Sequence, residues 1–241
     1  MKRFLCYEIK DGYALIRDME HNHLKNVLRL NIGDKIECVG IDEAIYVCEI
    51  SKIEKFLTLA KVLEKQVCMS NPKVKLTVFQ ALVKNDNMSL IVQKLSELGV
   101  STLVPFESEF ITSKDSKNKQ AKLQEIANQS IKQCKRSIPM MVERTLSFKE
   151  MVEALKDFDK VIFANEKEST KSLNDILKDL DIKDKVAIII GSEGGFSDSE
   201  IMAISSLKNA VSISLGSRIL RAETASIFLS GLVLYELKEY I

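Results

Sequence analysis

Residues Ile188–Glu200, IIIGSEGGFSDSE, set three glycines and one glutamate between an apolar run and a helix-start signal. Gly191, Gly194 and Gly195 let a ligand approach the backbone with no Cβ in the way. Glu193 stands among them as a negative charge, which repels a triphosphate and tolerates a cationic ligand. The segment has neither G-x-x-x-x-G-K-[ST] nor G-x-G-x-x-G, so both phosphate-cradling fingerprints are missing from it. A second stretch, Leu215–Ala225 (LGSRILRAETA), gathers Arg218, Arg221, Glu223 and Thr224 just beyond Gly216. A loop this rich in both charge signs is costly to bury for structure alone. The plainer readings are a tight turn whose glycines serve geometry only, and a loop ion pair with Glu223 placed to suit a helix dipole.

Both stretches need a strand before them and a helix after. Val186–Ile190 is a continuous apolar, β-branched run, suited to a parallel strand buried on both faces. Ser197 and Glu200 have capping-box spacing. Strand, glycine loop, helix is the order in which open α/β sheets present a ligand site. Val211–Leu215 followed by Ala222–Glu239 repeats that order, so two loops at neighbouring strand ends are expected to wall one pocket. Upstream, Val74–Val83, Leu103–Phe106 and Val161–Ala164 read as strands. Met88–Leu98 (ended by Gly99), Lys117–Arg136, Phe148–Leu155 and Leu173–Leu180 read as helices. This alternation predicts a mostly parallel sheet covered by helices over residues 73–241.

Residues 1–70 have a different texture. Lys2–Tyr7, Asp34–Val39, Ala44–Ile53 and Phe56–Leu63 read as short strands, with a short basic helix at His21–Leu30. They predict a small β-barrel, joined to the rest by Gln66–Pro72. Basic residues concentrate at Lys25 and Arg29, at Lys84, and between Ser113 and Arg136 (Lys114, Lys117, Lys119, Lys122, Lys132, Lys135 and Arg136). Such clusters hold phosphate backbone or are a solvated helix face. The final helix is apolar nearly all round, which calls for burial on a second side. A subunit interface and a place inside its own domain both answer that.

The 241 residues are 46% hydrophobic with a net charge of +1, enough for a core and too balanced to indicate a partner by charge alone. No apolar run approaches the roughly 18–20 residues of a membrane span, and the first residues lack a signal-peptide apolar core. Five cysteines without a C-x-x-C favour a reduced, cytoplasmic setting. Two histidines are too few for an ordinary catalytic zinc site, so no metal is expected.

GSEGG followed by LGSRILRAETA resembles the RsmE family of SPOUT-class RNA methyltransferases, whose pattern is near GPEGG and LGxRxLRxETA. QKLSELGV (Gln93–Val100), the Gln133-Cys134, Arg136, Ile138-Pro139 stretch, and HLKNVLRLNIGD (His23–Asp34) are similar to further motifs of that family, in order along almost the whole chain. Ser192 and Ser217 stand where the family usually has proline, Ala222 replaces a common threonine, and Asn85-Asp86 follows Lys84 where a charged pair is frequent. The resemblance implies an α/β fold with an N-terminal PUA-like β-barrel, residues 1–70, and a C-terminal trefoil-knotted SPOUT domain, residues 73–241. It implies methylation of N3 of a uridine in 16S ribosomal RNA by a homodimer using S-adenosylmethionine. The expected cofactor-binding residues are Ile190, Gly191, Ser192, Glu193, Gly194, Gly195, Leu215, Gly216, Ile219, Leu220, Thr224 and Ala225. Arg221 and Glu223 are the expected catalytic residues: arginine is too weak an acid to serve as a base, so it stabilises charge on the uracil oxygen while Glu223 takes the proton. Lys25, Arg29, Lys84, Lys132, Lys135, Arg136 and Arg218 are expected on the RNA. The competing classes are a small transferase acting on a free metabolite, a non-catalytic ribosomal RNA-binding module, and a related methyltransferase acting on a different RNA.

Overall fold

A computed structural model describes residues 1–6, 8–111, 118–168 and 176–240. Lys114 and Lys117, and the first three residues of the expected Leu173–Leu180 helix, lie outside those residues. The chain divides into two compact units, Met1–Asn71 with Ile131–Ile138, and Pro72–Ser130 with Pro139–Ile241.

The first unit is a six-stranded sheet in the order β1-β4-β5-β6-β3-β2. Its strands are β1 Lys2–Leu5, β2 Ile9–Lys10, β3 Tyr13–Arg17, β4 Lys35–Val39, β5 Ile45–Ile53 and β6 Leu57–Gln66. All pairs are antiparallel except β1 with β4. Alternate residues turn to one face, where Phe4, Ala14, Ile16, Ile36, Cys38, Cys48, Ile50 and Ala60 form the core. β3 was not among the expected strands, because five residues behind a Gly12 turn give too short an alternation to stand out. The expected His21–Leu30 helix is instead an α-turn, Asp18–Asn22, running into a π-turn, His23–Val27. It stops where Arg29 takes a φ of 53°.

The second unit is an all-parallel sheet in the order β12-β10-β11-β7-β8-β9. These are β7 Leu76–Ala81, β8 Thr102–Phe106, β9 Met141–Val142, β10 Lys160–Ala164, β11 Val186–Ile190 and β12 Ala210–Ile213. β11 pairs with β7 on one side and β10 on the other, and every one of its residues is buried. Val186, Ile188 and Ile190 face a cluster shared with the Asn85–Leu98 and Ala222–Glu236 helices. Ala187 and Ile189 face the opposite cluster, with Met151 of the Phe148–Ala154 helix and Ile204 of the Asp198–Ser205 helix. Helices on both faces explain why the strand reads as one unbroken apolar run. Gly99 ends its helix at a φ of 104°, as its sequence position predicts. Among the described residues no helix is long and apolar enough to cross a membrane.

Candidate active site

The carboxyl edge of the parallel sheet opens into a cleft of about 960 Å³ in the second unit. That is at the upper end of ordinary small-molecule sites. Three loops wall it, each leaving the end of a strand: Ala164–Glu168 after β10, Ile190–Phe196 after β11, and Ser214–Ala222 after β12. The two glycine loops therefore share one cleft, but their strands are not neighbours. β10 lies between β11 and β12, so the expectation of adjacent strand ends is corrected. A third loop, carrying Asn165, Glu166 and Lys167, completes the wall. Its signal was the strand Val161–Ala164 ending in a polar run, the same strand-end rule that singled out the other two.

The β11 loop is fastened by its own backbone and by side chains within and around it. Gly195 donates its N–H to the Ser192 carbonyl at 3.0 Å, and Ser192 Oγ donates to the Phe110 carbonyl at 3.1 Å. Gly194 packs against Phe110 so closely that a Cβ would stand 2.8 Å from the Phe110 Cβ. The expected capping box is present: Ser197 Oγ accepts from Glu200 N, and Glu200 Oε2 accepts from Ser197 N at 3.0 Å. Glu200 is buried and does more than cap. Its carboxylate also accepts from Glu109 N at 2.9 Å and Ser108 Oγ at 3.1 Å, joining the loop after β8 to the loop after β11. From below, the fully buried Gln80 donates Nε2 to the Gly191 carbonyl at 3.3 Å.

The β12 loop turns at Gly216, whose φ of 106° disfavours a side chain. Asn165 N donates to the Ile213 carbonyl at 2.9 Å, which ties the β10 loop beside it. Arg221 is exposed at the N-cap of the Ala222–Glu236 helix without a side-chain cap of its own. Glu223 follows in the first turn, and one of its carboxylate oxygens is buried without a hydrogen-bond partner.

Of the residues expected at the site, Ile190, Gly191, Ser192, Glu193, Gly195, Leu215, Gly216, Ile219, Leu220 and Ala225 line the cleft, together with Arg218, Arg221, Glu223 and Lys84. Gly194 and Thr224 do not. Gly194 is spent on Phe110, and Thr224 lies exposed on the outer side of its helix. Asn87, Phe196 and the Asn165–Lys167 loop line the cleft unforeseen. The remaining expected residues belong to the first unit, and two of them are already engaged there. Lys132 Nζ lies 2.7 Å from Glu20 Oε1 in a largely buried ion pair. Arg136 is buried while its carbonyl accepts from Arg3 Nη1. Neither presents a free charge to a phosphate, so the expected basic patch reduces to Lys135, which is exposed. Lys25 and Arg29 are also exposed. Among the described residues no group of histidine, cysteine, aspartate or glutamate is placed to hold a metal.

An all-parallel sheet whose carboxyl edge carries a glycine-walled, carboxylate-bearing cleft is an α/β ligand-binding domain, and an RNA methyltransferase domain family matches residues 70–234. An RNA methyltransferase PUA domain matches residues 16–61. The ribosomal RNA small subunit methyltransferase E of Mesomycoplasma hyopneumoniae is 30% identical, covering 95% of this chain and 97% of that protein. The Bacillus subtilis enzyme of that name is 28% identical over 90% of this chain and 88% of its own. A methyltransferase from Legionella pneumophila, solved with its bound cofactor SAM, superposes with a TM-score of 0.85 at 26% identity, covering 97% of this chain and 96% of that one. The chain belongs to the ribosomal RNA small subunit methyltransferase E family.

Proposed function

We propose that the cleft binds S-adenosylmethionine and that the protein methylates N3 of a uridine in 16S ribosomal RNA of the small subunit. The observation that carries this reading is the meeting of both glycine loops, separated in the chain by one helix and one strand, in a single cleft. The donor set fits the cofactor. Glu166, Glu193 and Glu223 put carboxylates around a space that would receive a sulfonium cation, and Ile190, Phe196, Leu215 and Leu220 supply apolar walls. Among the described residues the backbone of Ser217–Leu220 makes no hydrogen bond, which leaves those groups open to a ligand. The backbone of Ile190, Gly191, Leu215, Gly216 and Leu220 would hold the adenine and methionine parts.

When bound, S-adenosylmethionine supplies an electrophilic methyl group. Uracil N3 carries a proton at neutral pH and becomes nucleophilic when that proton leaves. Glu223 lines the cleft with one carboxylate oxygen unpartnered, and it is the group we assign to accept that proton. Arg221, exposed at the helix start and lining the same cleft, donates hydrogen bonds to the uracil oxygen on which negative charge develops. Lys84 and Arg218 at the cleft, with Lys25, Arg29 and Lys135 in the first unit, hold phosphates without reading sequence.

We further propose that the active form is a homodimer. The Ala222–Glu236 helix turns Ala222, Ala225, Leu229 and Val233 to the core, but Thr224, Phe228, Gly231 and Tyr235 form a stripe on its other side. Phe228 is 46% exposed and a Cβ on Gly231 would meet nothing within 4 Å, so this stripe is available to a second copy. A reduced cytoplasm, where five cysteines that form no disulfide are at ease, is the proposed setting.

The test incubates the protein with labelled S-adenosylmethionine and either free 16S RNA or assembled small subunits, then maps the modified base. Label at N3 of one uridine is the expected result. Binding of RNA with no transferred label overturns the catalytic reading.

A further inference from the structure

The geometry points to the β5–β6 turn as a stacking platform for an unpaired RNA base, with Phe56 as the platform and Lys25, Lys52 and Lys55 as its phosphate contacts. Phe56 is 74% exposed at the tip between Ile53 and Leu57. Tight turns favour glycine, proline, asparagine and aspartate, each for a backbone reason. A large aromatic at a tip gains little from burial and exposes apolar surface. A position that breaks a local rule with no structural return is where function is sought.

The tip is also held still. Glu54 N donates to the Leu57 carbonyl at 2.8 Å and closes the turn. Lys25 Nζ donates to the Glu54 carbonyl at 2.9 Å. The His21 ring bridges the Lys55 carbonyl, 3.3 Å from Nε2, and the Thr58 hydroxyl, 2.8 Å from Nδ1. A carbonyl only accepts, so Nε2 carries the hydrogen and Nδ1 accepts from Thr58 in the neutral ring. Two anchors from outside the turn, Lys25 on the Glu54 carbonyl and His21 on the Lys55 carbonyl, thus fix the backbone that carries Phe56, which lowers the ordering cost of binding.

Charge selects the partner. Lys55 Nζ sits 5.2 Å from the Phe56 ring centroid. Lys52 pairs with Glu54 at 2.6 Å, and Lys25 reaches the same turn. Three ammonium groups against one carboxylate leave a cationic rim about an exposed π-face. That combination matches single-stranded nucleic acid, whose bases stack on aromatics while lysines track the backbone. Stacking tolerates any base, so this platform positions the strand and does not choose the target. The inference rests on the proposed RNA substrate.

The chain contains no tryptophan, so Phe56→Trp introduces a single tryptophan at the tip, excited selectively over the five tyrosines at the red edge of its absorption. The probe is a mixed-sequence single-stranded RNA of about 12 nucleotides, within the site sizes of comparable binders. The same strand paired with its complement and phosphatidylglycerol vesicles are the comparison arms. The expected results are quenching by the single strand, much less by the duplex, and none by vesicles. Phe56→Ala should bind the single strand roughly tenfold more weakly than wild type, Phe56→Tyr should restore it, and affinity for S-adenosylmethionine should not change. Equal RNA affinity of wild type and Phe56→Ala overturns the platform alone. So does equal quenching by duplex, or a blue shift on vesicles with no response to RNA. Failure of the wild-type protein to bind either this strand or 16S RNA overturns the RNA reading itself.

Discussion

Removing the Glu200 carboxylate should loosen the cofactor loop and destabilise the α/β unit together. Glu200 is 5% exposed and accepts from Ser197 N, Glu109 N and Ser108 Oγ at 3.0, 2.9 and 3.1 Å. Hydrogen bonds to a charged acceptor contribute roughly 1.5–3 kcal/mol, and neutral ones about 1. Ser197 and Ser108 are buried, so their donors would be stranded, whereas Glu109 is exposed and its N–H can turn to water. Releasing a buried carboxylate returns part of its desolvation cost. The net for Glu200→Ala is about 3 kcal/mol, including the lost helix cap. With a urea slope of about 2 kcal/mol/M, the midpoint for the α/β unit should fall by about 1.5 M. Glu200→Gln keeps one acceptor oxygen and should recover about half of that. Because the same carboxylate ties the Ser108 hydroxyl and the Glu109 backbone to the Gly191–Ser197 loop, calorimetry should also show S-adenosylmethionine binding weakened by about tenfold in Glu200→Ala, the equivalent of about 1.4 kcal/mol. A midpoint shift below about 0.3 M with unchanged cofactor affinity would refute the idea that Glu200 organises the site.

Arg221→Ala should keep cofactor binding by calorimetry and lose roughly a hundredfold or more in turnover, and near wild-type turnover would remove Arg221 from the mechanism. Gly194→Ala forces a Cβ to 2.8 Å from Phe110 Cβ, so about 1–3 kcal/mol of overpacking strain should appear as a lowered urea midpoint. Phe228→Glu places a charge in the exposed stripe of the last helix and should shift the protein to monomer in sedimentation, where an unchanged mass would move the interface elsewhere. The Asp42 carboxyl is held at about 2, below its ordinary 3.8, chiefly by hydrogen bonds from Lys65 and Tyr46. A lowered folded-state value means its contribution is present above the unfolded value and is lost as pH falls through about 2. Asp42→Asn should therefore reduce the difference in urea midpoint between pH 5 and pH 2 relative to wild type.

The periodic elements of the α/β unit were legible in the chain because their signals are local. Val186–Ile190 shows its burial in composition, Ser197 and Glu200 announce their helix by spacing, and Gly99 marks where another ends. Short elements escaped. Tyr13–Arg17 and Met141–Val142 are strands of five and two residues, defined by neighbours they pair with and not by any pattern of their own. The basic residues were visible as a count, but their availability was not. Lys132 faces Glu20, 112 positions away, and Arg136 is buried. Neither fact is written near those residues.

The chain by itself determined which residue types could do the chemistry: two glycine loops, the Arg221–Glu223 pair, and a strand–loop–helix order that puts them at a sheet edge. It did so because backbone permissiveness, charge and capping act over a few residues. Only the tertiary structure decided that β10 lies between the two loops' strands, and that Asn165–Lys167 therefore joins the cleft. It also decided that Gly194 serves Phe110, and that Glu200 binds two loops nearly a hundred residues apart in sequence. Strand order and side-chain pairing across such distances depend on which surfaces bury each other best, a property of the whole packed core that no window of sequence contains.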